Sequence, residues 1–312
     1  MHCLRWLLTL ALLACLGATA AAADPAKPKR LLLVTTSDGF MHDSIGVAEQ
    51  VLKEIGPKNG FEVTCFRYTK DPDAKVTVKR KVNDKEEEVE TTALEKYSEQ
   101  YRRTTGEKDK APEEVTKEQC GRINADTLKK FDVVLFFTTG KPITEAEEKD
   151  LVAWVKAGHA FAGTHCATDT LYTTPYGELI GALFQTHPAQ QKVRLKVEDP
   201  KHPGAKGFSD GMDYFDEWYI FREAPYSRDK LHIILSMDPS TFKPNYVRKD
   251  NDYAISWCHE VGKGKVFYTS MGHRRETWRD PKFQESLIGG LKWTLGQAEG
   301  DATPSSKLAK DK

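Results

Sequence analysis

The chain has 312 residues, no net formal charge at pH 7, and 29% charged side chains. This length suits one large α/β domain or two small ones, with enough residues for a substantial buried core. A net charge of zero provides no long-range field that would attract nucleic acid or a membrane surface, so neither is predicted as a partner.

The first 23 residues predict a secretory signal peptide. Arg5 precedes an apolar run at 6–16, which is followed by small residues that end at Ala23. A basic residue, a short apolar segment and small residues at the exit are typical of a cleaved signal, and the run is too short for a spanning helix. The predicted location is therefore periplasmic or extracellular. Cys15 lies in a stretch that loosely resembles a lipobox, so a lipoprotein anchored at Cys15 is the alternative.

Four cysteines follow the signal peptide: Cys65, Cys120, Cys166 and Cys258. They show no CxxC spacing, which argues against a zinc knuckle and a redox pair. We expect buried free thiols. Pairing of Cys65 or Cys120 in an oxidising compartment stays open, because sequence cannot choose disulfide partners.

Apolar runs that alternate with helical patterns predict a doubly wound α/β sheet within residues 30–298. Strands are expected at 30–36, 61–66, 132–138, 159–163, 191–197, 231–237, 253–259 and 265–270. Helices are expected at 45–55, 144–158, 176–184 and 281–295. The first helix is predicted to end at Gly56, and the polar tail at 299–312 is predicted to be disordered.

Residues 70–122 differ in character from the rest of the chain. Two polar segments, 76–82 and 86–90, predict a hairpin, and residues 92–103 predict a helix before a charged connector. We interpret this stretch as a solvated insertion into the domain, with a partner-binding flap as the alternative.

The segment 159–170 predicts a strand that leaves the sheet through a sharp turn at Gly163. In α/β proteins such a turn holds one side chain up at the carboxyl end of the strand. Here that side chain is the imidazole of His165, so a metal ligand or an acid/base group is expected rather than a nucleophile. Cys166 follows it directly, and its thiol is expected to face helix packing.

Histidines recur where predicted strands end. His42, His165 and His273 each follow a strand, while His187 and the pair Asp216–Glu217 lie on other loops. Ligands of open α/β sheets gather outside the carboxyl ends of the strands, so we expect these side chains at one rim. Imidazoles and a carboxylate are ligands for zinc or a similar divalent ion, and without metal they can serve as acid/base groups.

The predicted residues fall into three roles. The acid/base candidates are His42, Asp43, His165 and Asp169. The candidate metal ligands are His165, His187, Glu217 and His273. The candidate substrate contacts are Phe40, Ser44, Thr164, Trp218, Tyr219 and Arg274. For Asp43 and Asp169, helix capping or the orientation of a histidine are alternatives. Aromatic side chains at the rim could stack on a sugar ring, although most of Tyr172, Trp218, Tyr219 and Trp278 are expected in the core.

Five ordered stretches resemble the ThuA-like (trehalose utilisation) family of the class I glutamine amidotransferase-like superfamily. They are GFMHDS at 39–44, GTHCATDT at 163–170, QTHP at 185–188, DEWY at 216–219, and GKGKVFY at 262–268 continuing to Gly272 and His273. The resemblance implies a flavodoxin-like, mostly parallel sheet with helices on both faces. It also implies loss of the amidotransferase cysteine, whose place His165 takes, and a link to carbohydrate or keto-sugar metabolism.

Three functional hypotheses follow. The first is an exported enzyme that acts on a saccharide or keto-sugar by hydrolysis, elimination or isomerisation at a His-rich site with a zinc-like ion. The second is a non-catalytic sugar-binding module. The third, ranked last, is a hydrolase that depends on Cys166. No nucleotide cofactor is predicted, and self-association into a homo-oligomer stays open.

Overall fold

A computed structural model of the chain describes residues 27–83, 85–106 and 114–308. The predicted signal peptide and Cys15 lie outside these residues. Within the described ranges, no helix combines the length and the apolar character that crossing a membrane requires.

Thirteen strands and seven helices are formed by the described residues. The strands are β1 (Lys29–Val34), β2 (Phe61–Phe66), β3 (Lys75–Val82), β4 (Lys85–Thr92), β5 (Val133–Phe136), β6 (Ala160–Thr164), β7 (Phe184–Thr186), β8 (Gln191–Val197), β9 (Asp213–Asp216), β10 (Ile220–Phe221), β11 (His232–Met237), β12 (Ala254–Val261) and β13 (Gly264–Thr269). The helices are α1 (Ile45–Lys58), α2 (Ala93–Thr105), α3 (Ala125–Leu128), α4 (Glu145–Lys156), α5 (Thr174–Ile180), α6 (Arg275–Arg279) and α7 (Pro281–Thr294).

The main sheet has nine strands in the order β2-β1-β5-β6-β13-β12-β11-β8-β9. The strands from β2 to β13 are parallel to one another, and the rest of the sheet continues in antiparallel pairs. The parallel part has the flavodoxin-like order, in which the chain reverses its direction of travel across the sheet beside β1. The predicted α/β, flavodoxin-like fold is confirmed.

Helices lie in two groups. Helix α6 contacts both α1 and α7, and α4 contacts α3 and α5. The strands between them are buried, as the burial of every residue in β5 and β6 shows. Helix α4 begins as predicted, because Thr144 and Glu147 form a capping box in which each side chain accepts a hydrogen bond from the other residue's amide.

Helix α1 runs past the glycine that was predicted to end it. It continues through Gly56 to Lys58, and the left-handed residue that follows is Gly60, with a φ of 84°. A Cβ atom on Gly56 would lie 2.6 Å from Cγ2 of Val63, so this glycine permits close packing of α1 against β2. The predicted end was wrong because a packing glycine resembles a capping glycine in sequence.

The charged insertion forms the predicted hairpin and helix. Strands β3 and β4 pair in a separate two-stranded sheet whose register places Lys79 opposite Glu88 and Arg80 opposite Glu87. Helix α2 joins this unit to the main body, since the hydroxyl of Tyr97 accepts a 3.0 Å hydrogen bond from the amide of Ser37. The insertion therefore contacts the loop that follows β1.

Disorder of the tail at 299–312 stays a prediction, but part of its described portion hydrogen-bonds to the main body. The imidazole of His232 donates from Nδ1 to the carbonyl of Thr303 over 2.7 Å, and the amide of Ile233 donates to the hydroxyl of Ser305 over 2.8 Å. The indole of Trp293 donates to the carbonyl of Gly300 over 3.0 Å. These partners are mostly backbone atoms of the tail, so its polar composition gave no sign of them.

Candidate metal centre and its rim

The turn after β6 sets the position of His165. This residue has a φ of 45°, a left-handed conformation that is uncommon outside glycine, and its side chain is fully buried. Its Nδ1 atom lies 2.8 Å from the carbonyl oxygen of Ser270, at the end of β13. A carbonyl only accepts, so Nδ1 carries a proton, and Nε2 is the nitrogen that faces the other side chains of the site.

Nitrogen atoms of two further imidazoles lie close to Nε2 of His165. Nε2 of His42, from the loop after β1, lies 3.2 Å from Nε2 of His165, and Nδ1 of His273 lies 3.3 Å from it. The loops after β1, β6 and β13 thus bring together the three histidines that the strand-end pattern placed at one rim.

A carboxylate completes the group. Oε2 of Glu217 lies 3.1 Å from Nδ1 of His273 and 3.5 Å from Nε2 of His165. Burial alone would raise the pKa of Glu217, but hydrogen bonds to the two histidines and their charges hold this pKa far below its ordinary value. Burial likewise opposes protonation of His273, yet Glu217 outweighs burial and raises the pKa of this histidine.

A proton or a metal ion can join these atoms. Nε2 of His165 and the carboxylate oxygen of Glu217 attract one another only when such a cation lies between them. One ligand atom from each of His42, His165, Glu217 and His273 lies within 4.8 Å of all the others. A tetrahedral ion with bonds of about 2.0–2.1 Å separates its ligands by about 3.3–3.4 Å, close to the 3.1–3.5 Å separations of four pairs of these atoms. This group could therefore hold a metal ion.

His42 is the most weakly positioned of the four. Burial, followed by the neighbouring histidines, lowers its pKa well below the usual value, so the ring is neutral. Among the described residues its buried Nδ1 atom has no hydrogen-bond partner. The exposed ring of Phe40 packs edge-on against it at a centroid distance of 4.9 Å.

Asp216 holds two loops of the centre in place, a role that the sequence did not predict. Its fully buried carboxylate accepts 3.0 Å hydrogen bonds at Oδ2 from the amide of Gly272 and the hydroxyl of Thr277. Oδ1 accepts a 2.9 Å bond from the amide of Glu217. Burial raises the pKa of Asp216, and these donors oppose that shift.

Comparison with known proteins places the chain in a family. The sequence model of the ThuA family, described as trehalose utilisation, matches residues 75–294, more than half of the chain. The chain belongs to the ThuA family. None of the functionally curated proteins matches it significantly.

Two solved structures share the fold of this ThuA-family protein. A ThuA-like protein from Bacteroides uniformis ATCC 8492 is 18% identical with a TM-score of 0.58, over 93% of this chain and 100% of the other. A ThuA-like protein from Parabacteroides merdae ATCC 43184 is 15% identical with a TM-score of 0.57, over 90% of this chain and 96% of the other. At identities this low, the likeness shows a shared fold and nothing more specific.

Three of the four predicted metal ligands belong to the observed group, and the fourth is replaced by a different histidine. His42, predicted as an acid/base residue, belongs to the group, whereas His187 does not. Nδ1 of His187 lies 3.2 Å from Oε1 of Glu217 and 3.0 Å from the carbonyl of Pro188, and its side chain is 42% exposed. His187 therefore lies at the outer edge of the centre.

Three of the predicted substrate contacts are interior residues. The hydroxyl of Ser44 donates to the carbonyl of Gly272 over 3.1 Å instead of capping α1, and that of Thr164 donates to the carbonyl of Met271 over 2.8 Å. Trp218 is fully buried, with its indole bonded to the carbonyl of Gln191. These side chains support the centre from behind, so they cannot contact a ligand in this structure.

Of the remaining predicted contacts, Tyr219 is also interior, since it packs under His165 at a centroid distance of 4.2 Å and is almost completely buried. The other two lie nearer the surface. Phe40 is 66% exposed, and Arg274 lies over the ring of Phe215 at 4.7 Å. Asp43 is exposed and pairs with Nε of Arg275 at 3.2 Å, which directs its carboxylate to the protein.

Asp169 is the carboxyl group best suited to proton transfer at this rim. Burial raises its pKa, although a hydrogen bond from the hydroxyl of Tyr172 and the charges of His165 and His187 oppose the rise. A half-buried carboxyl with such neighbours can hold or accept a proton.

Cys166 is not placed as a nucleophile. It is fully buried, and burial raises the pKa of its thiol well above the ordinary value. All four cysteines in the described residues are free, and three of them are buried as expected, whereas Cys120 is partly exposed.

Proposed function

We propose that this ThuA-family chain is an exported, metal-dependent enzyme that acts on a saccharide or keto-sugar. The observation that carries the proposal is the convergence of His42, His165, Glu217 and His273, with the hydrogen bond to Ser270 orienting His165 as a lone-pair donor. A donor set of three imidazoles and one carboxylate suits zinc, and manganese, iron, cobalt or nickel can use the same donors.

A divalent ion bound there would polarise a carbonyl or hydroxyl oxygen of the sugar. The residues of the chain supply the rest. Glu217 offsets positive charge, Ser270 fixes the His165 ring, and Asp169 can hold or accept the proton moved at the carbon beside that oxygen. These roles suit elimination or isomerisation of a keto-sugar, and hydrolysis if water is the acceptor.

Two observations support a sugar as the substrate. The family is described as one of trehalose utilisation. In addition, the exposed ring of Phe40 packs against His42 of the centre, and aromatic surfaces pack well against pyranose rings.

The test uses purified protein, stripped with a chelator and then reloaded with zinc, manganese or cobalt. Each form is incubated with trehalose, other disaccharides and their keto derivatives in D₂O, and products are followed by NMR. We expect metal-dependent conversion, with deuterium incorporated at the carbon next to the keto group if the proton is removed there. Absence of stoichiometric metal, together with turnover that chelation does not change, would remove the metal from the proposal. Sugar binding with no conversion would instead support the accessory-module hypothesis.

Export is also part of the proposal and rests on residues 1–23 alone. Expression of the full chain followed by N-terminal sequencing of the released form should give a start near residue 24. A mature start at Cys15 with attached lipid would identify a lipoprotein, and an intact N-terminus would contradict export.

A further inference from the structure

A cleft borders Tyr172, the residue whose hydroxyl hydrogen-bonds to Asp169. It has a volume of about 630 Å³ and is formed between α5 and the segment that connects β10 with β11. Its polar and aromatic lining includes Tyr172, Glu178, Arg222, Glu223, Tyr226 and Lys230. None of the four grouped metal-binding side chains lines it.

One wall of this cleft connects to the proton-transfer end of the centre. The hydroxyl of Tyr172 donates to Oδ1 of Asp169, whose pKa responds to the charges of His165 and His187. On the same side, Nε of Arg222 donates to the carbonyl of Phe184 over 3.2 Å. The ring of Phe184 packs against Tyr219 at a centroid distance of 4.4 Å, and Tyr219 packs against His165. Contacts through Tyr172 and through Phe184 therefore connect the cleft with the centre.

The backbone holds Tyr172 in an unfavourable conformation. Leu171 and Tyr172 have φ values of 58° and 54°, although bulky residues rarely adopt left-handed angles. The amide of Leu171 donates to the carbonyl of Gly140 over 2.7 Å, which helps to fix this turn. Strained residues of this kind cluster at ligand sites, and here the strain presents a side chain that is 38% exposed.

The charges in the cleft leave one cation available. Lys230 pairs with Glu178 at 3.0 Å, and Glu223 accepts a 3.2 Å hydrogen bond from the amide of Lys249. Arg222 lies over the ring of Tyr172 at 4.5 Å, and its terminal nitrogens bond to no other described residue. Its guanidinium can therefore donate to oxygen atoms of a ligand.

We propose that this cleft binds a second sugar ring of the substrate, so that the protein selects disaccharides or longer glycosides over monosaccharides. The ring packs against Tyr172, and its hydroxyl or carboxylate oxygens accept hydrogen bonds from Arg222. This inference rests on the proposed function for its reacting sugar, but it assigns the specificity to residues outside the metal centre.

Calorimetric titration of the full chain tests the proposal without requiring turnover. The probes are glucose, trehalose, maltose, cellobiose and a disaccharide that contains glucuronic acid. We expect at least one disaccharide to bind about tenfold more tightly than glucose, which corresponds to about 1.4 kcal/mol. Tyr172→Ala should remove this difference and leave glucose binding within about twofold, whereas Tyr172→Phe should keep it.

Two further variants make the assignment specific. Arg222→Ala should weaken the same disaccharides, and a larger loss for the glucuronic acid probe would identify a carboxylate as the group bound. Tyr246→Ala is the matched control, because Tyr246 is also 38% exposed but does not line the cleft.

Three results would overturn the proposal: no disaccharide binds more tightly than glucose, Tyr172→Ala and Arg222→Ala both leave the preference intact, or Tyr246→Ala removes it equally. A preference that depends on Tyr172 in a protein without turnover would contradict the proposed enzyme alone. Metal-dependent turnover without that preference would contradict the second-ring site alone.

Discussion

The Nδ1 atom of His165 lies 2.8 Å from the carbonyl oxygen of Ser270. Since this contact directs Nε2 of His165 toward His42, His273 and Glu217, replacement of His165 should lower metal affinity most directly. His165→Asn should reduce zinc affinity by more than about tenfold, the lower limit for the loss of even a group that orients a ligand. Titration with zinc and elemental analysis measure the effect.

His187→Ala is the control for that experiment, because this side chain contacts Glu217 but lies outside the group of four. The His187→Ala variant should bind zinc about as tightly as the wild type does. Equal losses in both variants, or none in His165→Asn, would contradict the assigned ligand set.

Replacement of Asp216 by asparagine tests how the loops of the centre are held. The new amide group would face either the amide of Glu217 or both the amide of Gly272 and the hydroxyl of Thr277, all of which now donate. We expect a loss of about 1–3 kcal/mol in the free energy of unfolding, together with weaker zinc binding. Urea denaturation and zinc titration give the two values. Thr277→Val removes one donor only. It should therefore lower the free energy of unfolding and the zinc affinity less than the Asp216→Asn replacement does.

The thiol of Cys166 should be unreactive in the folded protein. Burial raises its pKa, so the thiolate is scarce and alkylating reagents cannot reach it. Iodoacetamide under native conditions should leave Cys166 unmodified by mass spectrometry, and Cys166→Ala should keep the activity of the wild type. Rapid modification accompanied by inactivation would instead support a hydrolase that depends on Cys166.

Acid should destabilise the protein partly through His202. Burial, and then the charge of His232, lowers the pKa of His202 to about 4. In the unfolded chain this histidine has a pKa of about 6.5, so between these values the unfolded state binds the extra proton. Stability is therefore fully present above pH 6.5 and is lost as the pH falls toward 4, by about 3 kcal/mol from this residue.

Urea denaturation at several pH values measures that slope. His202→Asn retains an acceptor near the amide of Gly204, which His202 now binds at 3.0 Å, but cannot be protonated. Its unfolding free energy should fall less between pH 6.5 and 4 than that of the wild type, and an unchanged slope would contradict the assignment.

Much of the candidate site followed from one rule, that side chains just past parallel strands meet at one edge of the sheet. From the sequence alone, this rule predicts that His42, His165 and His273 lie close together. It could not determine which way neighbouring side chains face. Ser44 and Thr164 adjoin this rim in sequence, yet their hydroxyls bond to carbonyls of the loop before His273.

The rest of the site depends on contacts that leave little trace in sequence. Asp216 acts on backbone amides, and the carbonyl of Ser270 would be present whatever residue stood there. Tyr172 was one of four aromatic candidates in the sequence, and only its exposure and positive φ distinguish it from the other three, which are buried. Apolar patterns determine the fold, whereas such backbone contacts depend on how the loops close.

The histidines of the centre come from distant parts of the chain. His42 and His165 are 123 positions apart, and His165 and His273 are 108 apart. A nascent chain consequently has no neighbouring pair of these ligands with which to capture an ion, and long-range pairing of β1, β6 and β13 must come first. The ion would then be drawn from whichever compartment the polypeptide folds in, so the metals available there would determine which one it carries.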